Sequence, residues 1–243
     1  MDTTTEATQY ARSRRAKQPD PAAVWGPLAG LADAAAGAAA TSGAVAITRG
    51  FDRRTRQRAK ALRELLAERG VAAVEVTPMS GSERLLEGNE VAAVVNLVGA
   101  GSWQPYRLGA KVRATVFTPA GDADEPTGRD VIGMTGESGR RDVALSHVAV
   151  RPEDPAASSI AIVTDGEPLS VPGGRITVTP EGAKLQVHLS GPDYAAQTFT
   201  AGEIRVETFD GPHRLVRDEL PIAEFEGAVT FTAEPQGLRI QSV

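Results

Sequence analysis

The residues best suited to chemistry lie in a glycine-rich string, Leu97-Val98-Gly99-Ala100-Gly101-Ser102, at the end of an apolar run. Glycines after a buried strand let main-chain N–H groups approach an oxyanion closely, which is how many proteins cradle phosphate. Trp103 and Tyr106 follow at once, placed to stack on a purine, or equally to cap a sheet edge or anchor a partner. Ser80-Gly81-Ser82 before Glu83 offers another phosphate cradle, although an ordinary helix N-cap is the simpler expectation. Asp122, Asp124 and Glu125 carry enough charge for a divalent cation, but the Gly, Pro and Thr around them read as a solvated loop between domains. His147, His188 and His213 are too far apart for a paired-ligand motif, and His147 in an alternating run reads as a packing residue. With no cysteine, thiolate zinc, disulfide and cysteine-nucleophile chemistry are all excluded. No GxSxG elbow is present, and no histidine is placed for a Ser-His-Asp triad. The expectation is therefore no catalytic residue and no metal site.

Composition narrows the classes further. At 243 residues, 41% hydrophobic and 23% charged, the chain can bury a core as one large or two small domains. A net charge of -5 argues against general nucleic-acid binding. Only Lys17, Lys60, Lys111 and Lys184 are lysines among 26 basic residues, a bias that points to a GC-rich genome, bacterial or phage.

The elements that must position the glycine string fall into three segments. Residues 1–43 read as a flexible arm with one short Ala-rich helix, docking on a neighbouring subunit. Its candidate partner contacts are Arg12, Arg14 and Arg15, together with Trp25, an aromatic anchor between Pro21 and Pro27. A twin-arginine signal at Ser13-Arg14-Arg15 is opposed by Pro19, Asp20, Pro21, Pro27 and Asp33, which spoil an apolar core. No run approaches the roughly 18 apolar residues of a membrane span. The expected location is the cytoplasm of a bacterial host, or a virion.

Residues 44–125 read as a small α/β, Rossmann-like domain: strand Ala44 to Ile47, a helix from N-cap Asp52 to Glu68, and Gly70 as its stop. Strands follow at Val71 to Val76, Val91 to Leu97 and Val112 to Phe117, the βαβ grammar of a parallel sheet. Residues 126–243 carry Gly and Pro every eight to twelve positions between short alternating runs, as in an antiparallel β-sandwich.

That order, with three local strings, resembles the superfamily of NAD kinases and diacylglycerol-type lipid kinases. The strings are Leu97 to Ser102, similar to the family's GGDGT loop; Ala144 to Val150 with Asp165-Gly166-Glu167, similar to its ALNE/D strand and DGE turn; and Gly173 to Gly182, similar to its DGLIVATPTG run. Val216-Arg217-Asp218-Glu219-Leu220 matches the family's last DGQ/DGE turn. The resemblance implies an N-terminal α/β domain, a C-terminal β-sandwich and nucleotide bound between them. It places Gly99, Gly101, Ser102, Thr179 and Gly182 around a vestigial cleft for NAD(P) or ATP.

The departures fall on the chemistry. Ala100 stands where the family has its central Asp, and Val98 replaces the first glycine. Ser146 and His147 replace the Asn and acidic pair, and Glu181, Ala183 and Lys184 replace the Thr and Ser/Thr positions. A phosphoryl-transfer site without its acid can bind but not transfer. The expected function is thus a non-catalytic structural or interaction protein on this fold, using its arm to contact neighbours, as a phage virion or assembly component does. The alternatives are a nucleotide-binding pseudoenzyme acting as sensor or sequesterer, and an active NAD or lipid kinase of altered mechanism.

Overall fold

The computed structural model describes residues 21–40, 43–78, 82–86, 88–99, 101–119, 127–164 and 168–243, with side chains at 21–27 and 221–226 left aside. Arg12, Arg14, Arg15, Ala100, Asp122, Asp124, Glu125, Asp165, Gly166 and Glu167 lie outside the described residues, as does the side chain of Trp25. Among the described residues strands dominate, with three α-helices and fourteen strands.

Four parallel strands form the sheet that carries the glycine string: β1 (Ala44–Thr48), β2 (Ala73–Val76), β3 (Val91–Asn96) and β4 (Thr115–Thr118), in the order β4-β3-β1-β2. β1 is buried along its whole length, as its unbroken apolar run requires in a sheet covered on both faces. Helix α1 (Pro21–Ala38) and helix α2 (Arg53–Glu68) cover one face. Asp52 caps α2, its Oδ1 accepting from Thr55 N at 2.9 Å, and Gly70 ends the segment at φ +73°. Helix α3 (Gln104–Val112) and a 3₁₀ turn (Ser82–Leu86) cover the other face.

Two expectations need correction here. Leu28, Leu31, Ala32 and Ala35 are fully buried against the α2 side of the sheet, so the second half of the supposed arm is core. The run Val112 to Phe117 is also not one strand: Val112 ends α3, which sequence periodicity did not reveal, and the strand begins at Thr115.

The β region contains β5 (Thr127–Gly136), β6 (Arg141–Ala144), β7 (Val148–Pro152), β8 (Ser159–Val163), β9 (Leu169–Pro172), β10 (Arg175–Glu181), β11 (Lys184–Gly191), β12 (Tyr194–Ala201), β13 (Glu203–Arg217) and β14 (Leu220–Ser242). One apolar cluster lies between strands β7, β10 and β11 and strands β5, β8 and β14, with Val150, Ile176 and Leu189 facing Ile132, Ile162 and Phe231. β13 and β14 run through both layers. β13 pairs with β8 over Arg205–Phe209 and with β7 over His213–Arg217, and bends between at Asp210 (φ +57°) and Gly211 (φ +133°). Two layers around one core are consistent with the expected sandwich.

The far end of β14 returns to the first region. Ile240, Gln241 and Ser242 pair in parallel with Val116, Phe117 and Thr118, joining all strands in one mixed sheet. The α/β layer therefore takes a fifth parallel strand from the C-terminal end of the chain, beyond the expected division at residue 125.

Candidate functional site

The sheet order β4-β3-β1-β2 has its reversal between β3 and β1, since the chain leaves β1 toward β2 on one side and continues through β3 to β4 on the other. Open α/β sheets offer a crevice at that point, outside the carboxyl ends of the strands. The loop leaving β3 there is the glycine string. It is shaped by Asn96, 1% exposed, whose Oδ1 accepts from Val98 N at 2.9 Å and Gly99 N at 3.1 Å. The same side chain donates through Nδ2 to Gly99 O at 3.3 Å and Tyr106 Oη at 3.4 Å. Gly99 sits at φ +108°, and the space where a Cβ would project from Gly99 or Gly101 is open. Tyr106 is thus a brace for the loop, and Trp103, half-exposed, precedes the first turn of α3.

Helix α3 follows with Pro105 in its first turn and Gly109 facing the sheet. A Cβ on Gly109 would overlap Val116 Cγ2 and lie 3.2 Å from Ala114 O, so only glycine lets the helix lie this close to β4. Its last carbonyls are held from the β region: Arg141 donates to Ala110 O at 3.0 Å and to Lys111 O, and pairs with Glu234. Gln104 donates to Thr77 O at 2.6 Å while its Oε1 is buried without a donor.

Arg107 points toward the β region. Burial, and then the charge of Arg217, push its pKa down, while Asp218, Asp142 and Glu83 act in the opposite direction. Its guanidinium makes no hydrogen bond within the described residues, and Nη1 is buried without an acceptor. Arg217 pairs with Asp142 through Nη1, yet its Nε is likewise buried and unpartnered.

Asp218, 3% exposed, ties the turns together. Its carboxylate accepts from Leu145 N at 3.0 Å, Ser146 N at 2.8 Å and Ser146 Oγ at 3.0 Å. Asp218 and Glu219 form a two-residue turn at φ +49° and +66° between the paired Arg217 and Leu220. His147 Nδ1 lies 3.1 Å from Ser146 Oγ, and its Nε2 lies 3.3 Å from Glu219 Oε1. Ser146 Oγ thus lies within hydrogen-bond reach of both Asp218 Oδ1 and His147 Nδ1. Two surface grooves lie elsewhere. One of about 560 Å³ is lined by Arg151, Glu153, Arg214 and Glu219, and another of about 430 Å³ by Glu83, Leu108 and Lys111.

Gly99, Gly101 and Ser102 share the loop between β3 and α3. Thr179 follows Val178, which pairs with Val148, so the register carries it to the level of His147. Gly182 turns the β10–β11 hairpin at φ +61°, its amide bonded to Asp130 Oδ2 at 3.1 Å. Ser82 begins the 3₁₀ turn and donates to Thr77 O, so no α-helix N-terminus follows it. Arg107 and Asp142 were missed in the sequence because nothing local marks them. Asp218 did carry a signal, as the acid of the Val216 to Leu220 string.

Among the described residues there is no cluster of three or more histidine, aspartate or glutamate side chains able to hold a metal, and no helix long and apolar enough to cross a membrane. No family model matches the sequence, and no curated protein matches it. Among solved structures, 2,5-dihydroxypyridine dioxygenase from Pseudomonas putida KT2440 is similar at 12% identity and a TM-score of 0.26, covering 84% of this chain and 90% of that one. That likeness is too slight to bear on function.

Proposed function

We propose that this chain is a non-catalytic protein of NAD-kinase-like organisation that binds the phosphate of a nucleotide, NAD(P) or ATP, as a sensor or sequesterer. The observation that carries the reading is Arg107, a half-buried guanidinium with no acceptor among the described residues, on the helix that directly follows the glycine loop. Asn96 supports it by holding that loop with Gly99 facing open space. Asp218 supports the absence of transfer chemistry, because its carboxylate is already engaged by main-chain amides and Ser146. The test is thermal unfolding with ATP, ADP, NAD and NADP, each with magnesium. A ligand at 100 times its Kd adds about 2.7 kcal/mol, a shift of several degrees. The reading predicts such a shift with no release of ADP, and no shift with any of the four refutes it.

A structural or interaction role is favoured by a different observation. Leu85, Trp103 and Leu220 remain 60%, 49% and 49% exposed, large apolar side chains of the kind a protein partner covers. Under this role, replacing Leu85, Trp103 and Leu220 together by Ser lowers the mass in solution as the partner or oligomer is lost, and an unchanged mass refutes it.

A further inference from the structure

The sheet has four edges among the described residues, and three of them are blunted. β2 is four residues long and carries Glu75 between Arg49 and Arg63. β6 is four residues long and carries Arg141 and Asp142, both in ion pairs. β9 is four residues long and ends in Pro172. Charge, proline and shortness are the devices that keep a sheet edge from pairing with another chain.

β12 has none of them. It is eight residues long, Tyr-Ala-Ala-Gln-Thr-Phe-Thr-Ala, without a charge or a proline, and pairs only with β11. Ala195, Ala196, Gln197, Thr198 and Thr200 are all exposed. In a chain of net charge -5, an uncharged open edge is where two copies approach without repulsion.

We propose that two copies of this chain associate through β12, edge to edge and antiparallel, to make one continuous sheet about a two-fold axis. Cover for Phe199 selects the register. Side chains on one face must stay on that face across the junction, so paired residues share parity. Centring on Thr198 would set Phe199 opposite the partner's Gln197, an apolar ring against a polar side chain. Centring on Gln197 sets Asp193 opposite the partner's Ala201, Ala195 opposite the partner's Phe199, and Gln197 opposite its own copy. Phe199, partly packed on the core beneath Val187, then gains cover from the partner's alanine. This surface belongs to the β region and is separate from the crevice, so association and nucleotide binding are read independently.

The test uses the full chain and charge exchange at the two-fold. Gln197 is exposed, so Gln197→Lys and Gln197→Glu leave the fold intact, which matching thermal unfolding confirms. Wild-type chain is expected to pass from one-chain to two-chain mass by light scattering across the micromolar-to-millimolar range. Each variant alone is expected to dissociate at about tenfold higher concentration than wild type, because like charges face each other. An equimolar mixture of the two variants restores association. Gln197→Cys, the sole cysteine in the chain, forms a disulfide-linked pair on mild oxidation, whereas Glu68→Cys on the exposed side of α2 does not. Wild type at one-chain mass throughout overturns the proposal, as does association unaffected by either charge or a mixture that fails to rescue it.

Discussion

Replacing Asp218 by Asn separates charge from shape at the centre of the cluster of turns. Asn fits the same space and tolerates the left-handed backbone at φ +49°. Its carbonyl oxygen takes the place of Oδ1, which accepts from Leu145 N, Ser146 N and Ser146 Oγ, while its NH₂ faces Leu145 N where Oδ2 accepts at 3.1 Å. Hydrogen bonds to a charged acceptor contribute about 1 kcal/mol more than neutral ones, and four donors are involved, that of His147 N being long at 3.4 Å. Allowing for partial rearrangement, Asp218→Asn should cost about 2 kcal/mol. Asp218→Ala leaves the amides of Leu145 and Ser146 without an acceptor and strains the turn, for about 4 kcal/mol. Asp218→Gly loses the same bonds but relieves the backbone, so it should be about 1 kcal/mol less damaging than Ala. Urea denaturation with unchanged m-values reads the series. An Asn variant within about 0.5 kcal/mol of wild type would show that the carboxylate does not hold these turns together, and Ala no worse than Gly would refute the backbone part.

Three other outcomes follow from single contacts. His213 is fully buried, and burial holds its pKa below 6.5 despite the bond between Nδ1 and Gly211 O. The unfolded chain therefore binds this proton more readily, and its contribution to stability is complete above about pH 6.5 and lost as pH falls below it. The urea midpoint should drop between neutral pH and about pH 5.5, and His213→Gln should flatten that drop. Gly109→Ala should cost about 1–3 kcal/mol through collision with Val116, and adding Val116→Ala should recover part of it, as measured by the same denaturation. Leu31→Ala should cost about 2–5 kcal/mol if α1 is core, whereas a residue on a solvated arm would change stability by less than about 0.5 kcal/mol.

Local patterns carried the first half of the α/β layer. An unbroken apolar run gave β1, Asp52 and Gly70 bounded α2, and the glycine string marked the end of β3. Helix α3 escaped because Pro105 and Gly109 weaken its pattern over only nine residues, while tertiary contacts with Val116 and Arg141 hold it. The burial of α1 was present in the spacing Leu28, Leu31, Ala32, Ala35 but masked by its alanine content, which reads as neutral. Regular Gly and Pro punctuation predicted short strands throughout residues 126–243, yet Gly211, Pro212, Gly227 and Gly237 do not separate strands. They are bends inside two long ones, a distinction that depends on which strands flank them. The return of β14 to β4 joins Thr118 to Ser242, a separation no local pattern encodes. At the crevice, the loop glycines were legible by residue type, whereas Arg107, Asp142 and Asp218 meet only through the packing of α3 on the β region.

Calorimetric titration of wild type and Arg107→Gln with the nucleotide that gives the largest thermal shift tests the central claim most directly. Arg107 has no hydrogen-bond partner among the described residues and feels the charge of Arg217, so the variant should fold with stability close to wild type. The account predicts saturable one-site binding to wild type without ADP release, weakened about tenfold or more in the variant. Equal affinity in both would contradict it by placing the phosphate away from this guanidinium, and turnover in wild type would contradict a site that binds without transfer.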